Sequence, residues 1–225
     1  MSFVSQVQFA ERNGGASGNR GVRRGVHPYR FMMWLSMASM IMLFAGFTSA
    51  YLVKRGDTNV WRSIDLPKLF WVSTTLILFS SFTMHMAVRS FRKNLVGAYR
   101  QWVLATTVLG LGFLISQIFA WSELTESVNL LTRDMVFATD NIMGRVIHAD
   151  YLWVISGAHF VHVGAGIICL LGLVFVAFRK FRTPEDTLLV NVNPDKVAGV
   201  ELVATFWHFI DILWIYLFIF FIVNI

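Results

Sequence analysis

Residues 202–225 read LVATFWHFIDILWIYLFIFFIVNI, an apolar run in which one carboxylate, Asp211, is embedded. An α-helix needs about 20 residues to cross ~30 Å of hydrocarbon, and this run is long enough. A carboxylate at that depth is costly unless partnered. Function is therefore expected to concentrate in Phe206-Trp207-His208-Phe209-Ile210-Asp211-Ile212-Leu213-Trp214. Further runs at residues 31–53, 69–88, 102–121 and 152–178 contain no Asp, Glu, Lys or Arg at all. The fold class that follows is all-α and integral to the membrane: five transmembrane helices in a bundle.

The composition agrees. Hydrophobic residues make up 56% of the 225-residue chain and charged residues 14%, where a soluble domain carries about 25% charge. The mean hydropathy is +0.61. Short loops leave no room for a separate soluble catalytic domain. The one cysteine, Cys169, falls in the fourth span and excludes internal disulfides and Cys-based metal sites. Residues 1–26 have no apolar core, do not resemble a cleavable signal peptide, and read as a flexible basic tail. Residues 27–225 then form one five-helix domain.

Charge is informative by location. With the N-terminus inside, thirteen of the 19 Lys and Arg residues fall in inner segments and six in outer ones. The positive-inside rule places the N-terminus in the cytoplasm and the C-terminus outside. Basic and aromatic residues do not interleave as on a nucleic-acid surface, so no nucleic-acid partner is expected. Pro28 announces the first span, and Lys54-Arg55-Gly56-Asp57 ends it. The short inner stretch Arg89–Gln101 predicts that spans two and three are antiparallel neighbours. The acidic outer stretch Ser122–Asp150 reads as the longest loop, with room for a short surface helix. The stretch Arg179–Val200, with Pro184 and Pro194, reads as an irregular connection.

Polar groups inside the spans are the candidate functional residues. His85 shares a helix face with Thr74 and Ser81, a polar stripe suited to bonding a neighbouring helix. His159 and His162 are one turn apart, and Gly157 and Gly166 near them allow another helix to approach. Two such histidines could chelate a metal, but a transition-metal site draws further ligands and outer-shell carboxylates from other elements. A haem would need histidines facing each other from different helices, such as His85 or His208 opposite His162. Glu201, His208 and Asp211 lie within about a quarter-turn of one another on the last span. The simplest expectation is a structural polar clasp of His159, His162, Glu201, His208 and Asp211 that satisfies the buried acid internally. A proton relay would use the same ingredients. No phosphate loop, nucleophile elbow or His-Glu-x-x-His helix is present, so no catalytic residue and no metal ligand is assigned.

The stretch Val200–Trp214, with Glu201, Trp207-His208-Phe209, Asp211 and Trp214, resembles the closing helix of subunit III of haem–copper respiratory oxidases. Gly157, His159, His162, Val163 and Gly166 match that family's Gly-x-His-x-x-His-Val-x-x-Gly. Ser80-Ser81-Phe82-Thr83-Met84-His85 resembles its second helix in the short form, and Met33-Trp34-Leu35 with Phe44-Ala45-Gly46 its first. Gln117 and Glu123-Leu124 echo the third. The resemblance runs in order from about residue 27 to 225 and is to the short, five-helix bacterial form.

The resemblance implies a non-catalytic structural subunit of a proton-pumping terminal oxidase, such as cytochrome c oxidase, in the bacterial cytoplasmic membrane. It implies no cofactor in this chain, with haem and copper in the partner, catalytic subunit I. Other oxidase subunits and membrane lipids are the further partners, and a respiratory supercomplex is one setting. The family holds phospholipid in a cleft and helps sustain proton uptake; Trp34, His85 and Arg179 are the lipid-binding candidates here. Met40 and Ala120 stand where the family often has glutamates, so no proton-handling role carries over to those positions. A close variant is the same subunit in a quinol oxidase or nitric-oxide-reductase assembly; alternatives of other classes are a membrane b-type cytochrome and a small proton carrier.

Overall fold

The computed structural model describes residues 28–57, 68–134, 139–179 and 194–224. Every regular element among them is helical. They are α1 (Pro28–Asp57), α2 (Leu69–Arg92), α3 (Val96–Asp134), α4 (Thr139–Arg179) and α5 (Pro194–Asn224). All five are long and apolar enough to cross a membrane. Residues up to Met32 group apart by their contacts, and the bundle is the unit Met33–Ile225. The proposed tail at residues 1–26 lies outside the described residues.

The helices outrun the hydrophobic runs that announce them. The stretch expected as the long outer loop is mostly helix, because α3 continues to Asp134 and α4 begins at Thr139. A fall in hydropathy marks the edge of the bilayer, whereas a helix stops only where its backbone is broken or capped. Residues 122–134 contain neither Gly nor Pro to do this. Likewise Pro194 opens α5 instead of lying in an irregular connection. Pro28 opens α1 in the same way, since the first turn has no use for the N–H that proline lacks.

The α2–α3 connection is tighter than the sequence suggests. Asn94 takes a left-handed φ of 58°. Its N–H donates to Phe91 O at 3.0 Å, and Leu95 N–H donates to Ser90 O at 3.0 Å. This paired bonding is a Schellman cap, with asparagine in place of the commoner glycine. It reverses the chain at once, so α2 and α3 run antiparallel and share the most extensive interface in the molecule.

Close backbone approaches connect α2 with α3, α3 with α4, α4 with α5, and α5 with α2. These four helices form a closed ring. Its interior is filled by side chains, chiefly the buried rings of Phe70, Phe113, Trp207 and Trp214. In lipid, water expulsion does not drive helices together; packing and interhelical hydrogen bonds do. Helix α1 stands outside the ring and reaches it through long side chains. Tyr51 makes edge contacts with Tyr151 on α4 and Phe220 on α5, and Thr48 Oγ1 bonds the Tyr216 hydroxyl at 3.2 Å.

Candidate functional site

Two indoles from α5 organise the centre of the ring. Trp207 Nε1 donates to Ser80 Oγ at 3.1 Å, and Trp214 Nε1 donates to Thr74 Oγ1 at 3.1 Å. Each hydroxyl in turn donates to a carbonyl of its own helix: Ser80 to Ile77 O and Thr74 to Phe70 O. A hydroxyl has one donor and two acceptor positions, so this arrangement uses the donor locally and leaves an acceptor for the neighbouring helix. Of the polar stripe expected on α2, Thr74 meets Trp214 and Ser81 meets His208, whereas His85 is exposed and the second indole bonds Ser80, which lies outside the stripe.

The indoles also cross the ring. Trp207 lies in a slot whose walls are glycines: a Cβ on Gly110 of α3 would fall 2.8 Å from Trp207 Cη2, and one on Gly166 of α4 would fall 3.0 Å from Cζ3. Trp214 stacks on Phe70 of α2 at 5.8 Å, meets Phe113 of α3 edge-on at 5.0 Å and approaches the His159 ring of α4 at 5.1 Å. Gly157, expected to ease helix approach along with Gly166, has nothing within 4 Å of a built Cβ.

His208, Asp211 and Ser81 form the polar part of the α2–α5 seam. Ser81 Oγ and His208 Nδ1 are 2.7 Å apart. The same serine faces the Asp211 carboxyl, which is 2% exposed and makes no hydrogen bond among the described residues. His85, one turn beyond Ser81, lies within electrostatic range of His208. Across the bundle, His159 is fully buried in an aromatic box of Trp214, Phe113 and Phe44. Neither of its ring nitrogens has a hydrogen-bond partner among the described residues. His162 Nδ1 lies 2.7 Å from Ala158 O on its own helix.

The five residues expected to form one clasp thus occupy three settings. His208 and Asp211 share the α2–α5 seam. His159 and His162 sit on α4 against Phe44 and the core. Glu201 forms an ion pair with Arg92 at 2.9 Å, at the far end of the α2–α5 seam. Among the described residues no three His, Cys, Asp or Glu side chains gather as a metal site.

The lipid candidates stand on three different helices. Trp34 on α1 is 63% exposed. Arg179, at the end of α4, holds its guanidinium 4.9 Å from the centre of the Phe175 ring. His85 lines a cleft of about 440 Å³ with Val88, Arg89, Arg92 and Lys93. A second, apolar groove of about 380 Å³ lies between α1 and α5, bordered by Phe44, Ala45, Leu213 and Tyr216.

Sequence reasoning missed Gly110 and the basic cluster beside His85. Gly110 shows itself only through its partner, because a glycine in an apolar helix looks the same whether a ring or a lipid faces it. The cluster was legible as charge, and its concave shape was not.

No protein-family model matches the chain. Individual relatives do. It is 30% identical over 185 residues to the cytochrome c oxidase subunit 3 of Thermostichus vulcanus, covering 81% of this chain and 80% of that protein. With the cytochrome c oxidase subunit 3 of Alkalihalophilus pseudofirmus it shares 29% identity over 188 residues, 82% of this chain and 81% of that one. The quinol oxidase subunit 3 of Bacillus subtilis is 23% identical over 188 residues, again covering 82% of this chain and 81% of the relative. Five membrane-length helices and similarity across four-fifths of both partners lead to one conclusion: the chain belongs to the cytochrome c oxidase subunit 3 family.

Proposed function

We propose that this chain is the non-catalytic subunit 3 of a proton-pumping haem–copper terminal oxidase in a bacterial cytoplasmic membrane. It crosses the membrane five times with its N-terminus in the cytoplasm. It packs against catalytic subunit I, which holds the haems and copper, and stabilises that subunit during aerobic respiration. The observation that carries this reading is the 30% identity to a cytochrome c oxidase subunit 3 over 80% of that protein's length. The architecture is in keeping with it: the buried polar groups of the α5 seam join helix to helix, and the buried aromatics fill space. Phospholipid is the proposed ligand, with Trp34, His85 and Arg179 as contacts at the bundle surface.

The test is to isolate the tagged chain from its native membrane in mild detergent and identify co-purifying proteins by mass spectrometry. A haem–copper catalytic subunit in near-stoichiometric amount is the expected result. Recovery of the chain alone would overturn the reading.

A second reading has its own support. Similarity to the Bacillus subtilis quinol oxidase subunit 3 supports, as the alternative, an assembly that takes its electrons from quinol. Oxygen consumption by the purified complex with each donor separates the two.

A further inference from the structure

Between residues 73 and 83, α2 carries six hydroxyls. Five of them, on Ser73, Thr74, Thr75, Ser80 and Thr83, donate to carbonyls of α2 itself. Ser81 is the sixth, and its one hydrogen bond among the described residues is the 2.7 Å contact with His208 Nδ1. A hydroxyl has one proton to give and two lone pairs to offer. With no backbone carbonyl claiming that proton, Ser81 stands between His208 and the Asp211 carboxyl that it also faces. It can donate to either one while its Oγ accepts from the other.

The trio is approached from one end. His208 is half-buried, and within electrostatic range of it is the exposed His85, which opens on the cleft lined by Val88, Arg89, Arg92 and Lys93. Those three cations and Glu201, paired with Arg92, are the charged groups at the entrance. Asp211 lies ten residues along α5 from Glu201, about 15 Å of helix and roughly half the hydrocarbon thickness. One turn further on, the seam is closed by Trp214, whose N–H donates to Thr74 and whose ring stacks on Phe70. From the other helices, α3 presents Phe113 to that indole and α4 presents His159, whose nitrogens bond to no group among the described residues.

We propose that His208, Ser81 and Asp211 form a blind-ended proton relay that loads and unloads the Asp211 carboxyl through the cleft at His85. In the unloaded state His208 Nδ1–H donates to Ser81 Oγ, and the serine hydroxyl donates to the carboxylate. A proton arriving from His85 bonds His208 Nε2, the Nδ1 proton passes to Ser81 Oγ, and the serine proton passes to Asp211. The loaded state has Asp211 O–H donating to Ser81, Ser81 O–H donating to Nδ1, and a neutral His208 protonated at Nε2. The Oγ–Nδ1 contact survives in both states, so the change needs no movement of either helix. With Trp214 closing the far side, the carboxyl holds a proton and does not pass it across the membrane. This inference goes beyond the subunit assignment and requires only that the chain spans a membrane.

The test is infrared difference spectroscopy on the intact complex in detergent, following the C=O stretch of a protonated carboxylic acid after pH jumps in both directions. The wild type is expected to show a band that appears on acidification, disappears on alkalinisation, and is missing from Asp211→Asn. Ser81→Ala should reach the same amplitude about a hundredfold more slowly, the least that a positioned proton-transfer group usually contributes. Ser81→Thr keeps the hydroxyl and should restore the wild-type rate, whereas a merely structural role would move thermal midpoints and leave the rate alone.

Absence of any Asp211-dependent band overturns the proposal. So do equal rates in wild type and Ser81→Ala, or a Ser81→Thr variant as slow as Ser81→Ala. If Ser81→Ala does not assemble, the wild type decides: the band of an acid connected to solvent shifts in D2O, and an unshifted band overturns the relay. A proton leak across reconstituted vesicles that Asp211→Asn abolishes would overturn the blind end. Co-purification of a catalytic subunit bears on the subunit assignment alone, and the infrared band on the relay alone, so each fails without the other.

Discussion

Trp207 occupies the space that a side chain at residue 110 would need: a Cβ built on Gly110 lies 2.8 Å from the indole Cη2. The ring cannot retreat easily. Its other edge meets Gly166, and its N–H is tied to Ser80. The two glycines let α3 and α4 close on a rigid ring, in the way small residues let membrane helices approach.

Gly110→Ala should therefore destabilise the bundle by about 1–3 kcal/mol, the usual cost of overpacking a filled interior. Gly112→Ala is the matched control, because a Cβ there would meet only Leu76 Cδ1 at an ordinary 3.8 Å. Thermal midpoints of the complex, read by size-exclusion chromatography after heating, should fall for the first variant and hold for the second. Equal midpoints would mean that the indole slot is looser than the geometry implies.

The Trp207–Ser80 bond should be measurable as a coupling. Ser80→Ala leaves a buried N–H unpaired, at a cost of about 1–2 kcal/mol. Hydrogen bonds between membrane helices average nearer 0.6 kcal/mol by double-mutant cycles. A cycle of Ser80→Ala with Trp207→Phe should return a coupling of about 0.5–1.5 kcal/mol, since the phenylalanine has no donor to strand. A coupling indistinguishable from zero would remove this bond from the account of the seam.

His208 and Asp211 are neighbours in sequence but should respond differently to substitution. His208→Ala removes the Ser81 Oγ–Nδ1 bond and opens space in the α2–α5 seam, so assembly yield and thermal midpoint should both drop, by about 1–3 kcal/mol in stability. Asp211→Asn keeps the shape of a side chain whose oxygens have no hydrogen-bond partner among the described residues. Its midpoint should stay level or rise. A drop for Asp211→Asn as large as that for His208→Ala would show that the carboxylate has an essential partner elsewhere in the assembled complex.

Much of this was legible in the sequence, and the limits were physical. The five spans follow from uninterrupted apolar runs, since few soluble helices tolerate them. The helix ends do not follow, because hydropathy reports the solvent around a helix and not its backbone. α3 passes into the polar region with no Gly or Pro to halt it at Ser122–Asp134, and α4 begins within that region at Thr139. Thr74 and Ser81 are identifiable as a stripe, but not that Trp214 and His208 of α5 are their respective partners, nor that Ser80 outside it bonds Trp207. Helical periodicity tells which residues share a face and leaves the facing helix unnamed. The expected joining of Asp211 to a histidine on α4 assumed that buried polar groups on adjacent helices find one another. His159 is instead enclosed by rings of Trp214, Phe113 and Phe44, contacts that no spacing in the chain encodes.

The Arg92–Glu201 pair should matter little to stability despite its 2.9 Å distance. The side chains are 65% and 31% exposed, and such pairs contribute about 0–1 kcal/mol, less at high salt. Glu201→Gln should shift the thermal midpoint only slightly and leave recovery of partner proteins unchanged. A large loss of either would mean that Glu201 acts through an interaction other than this pair.

The closed ring has a consequence for biosynthesis. Ribosomes deliver α2, α3 and α4 to the membrane before α5, and the two indoles that fill the ring arrive with that later segment. Until then the hydroxyls of Thr74 and Ser80 and the slot at Gly110 and Gly166 face a space with no occupant. α1, made before the other four, must also wait, because its partners Tyr216 and Phe220 are carried by α5. The nascent subunit therefore passes through the translocon as a set of threaded but unclosed helices, and its compaction is postponed until α5 has been made.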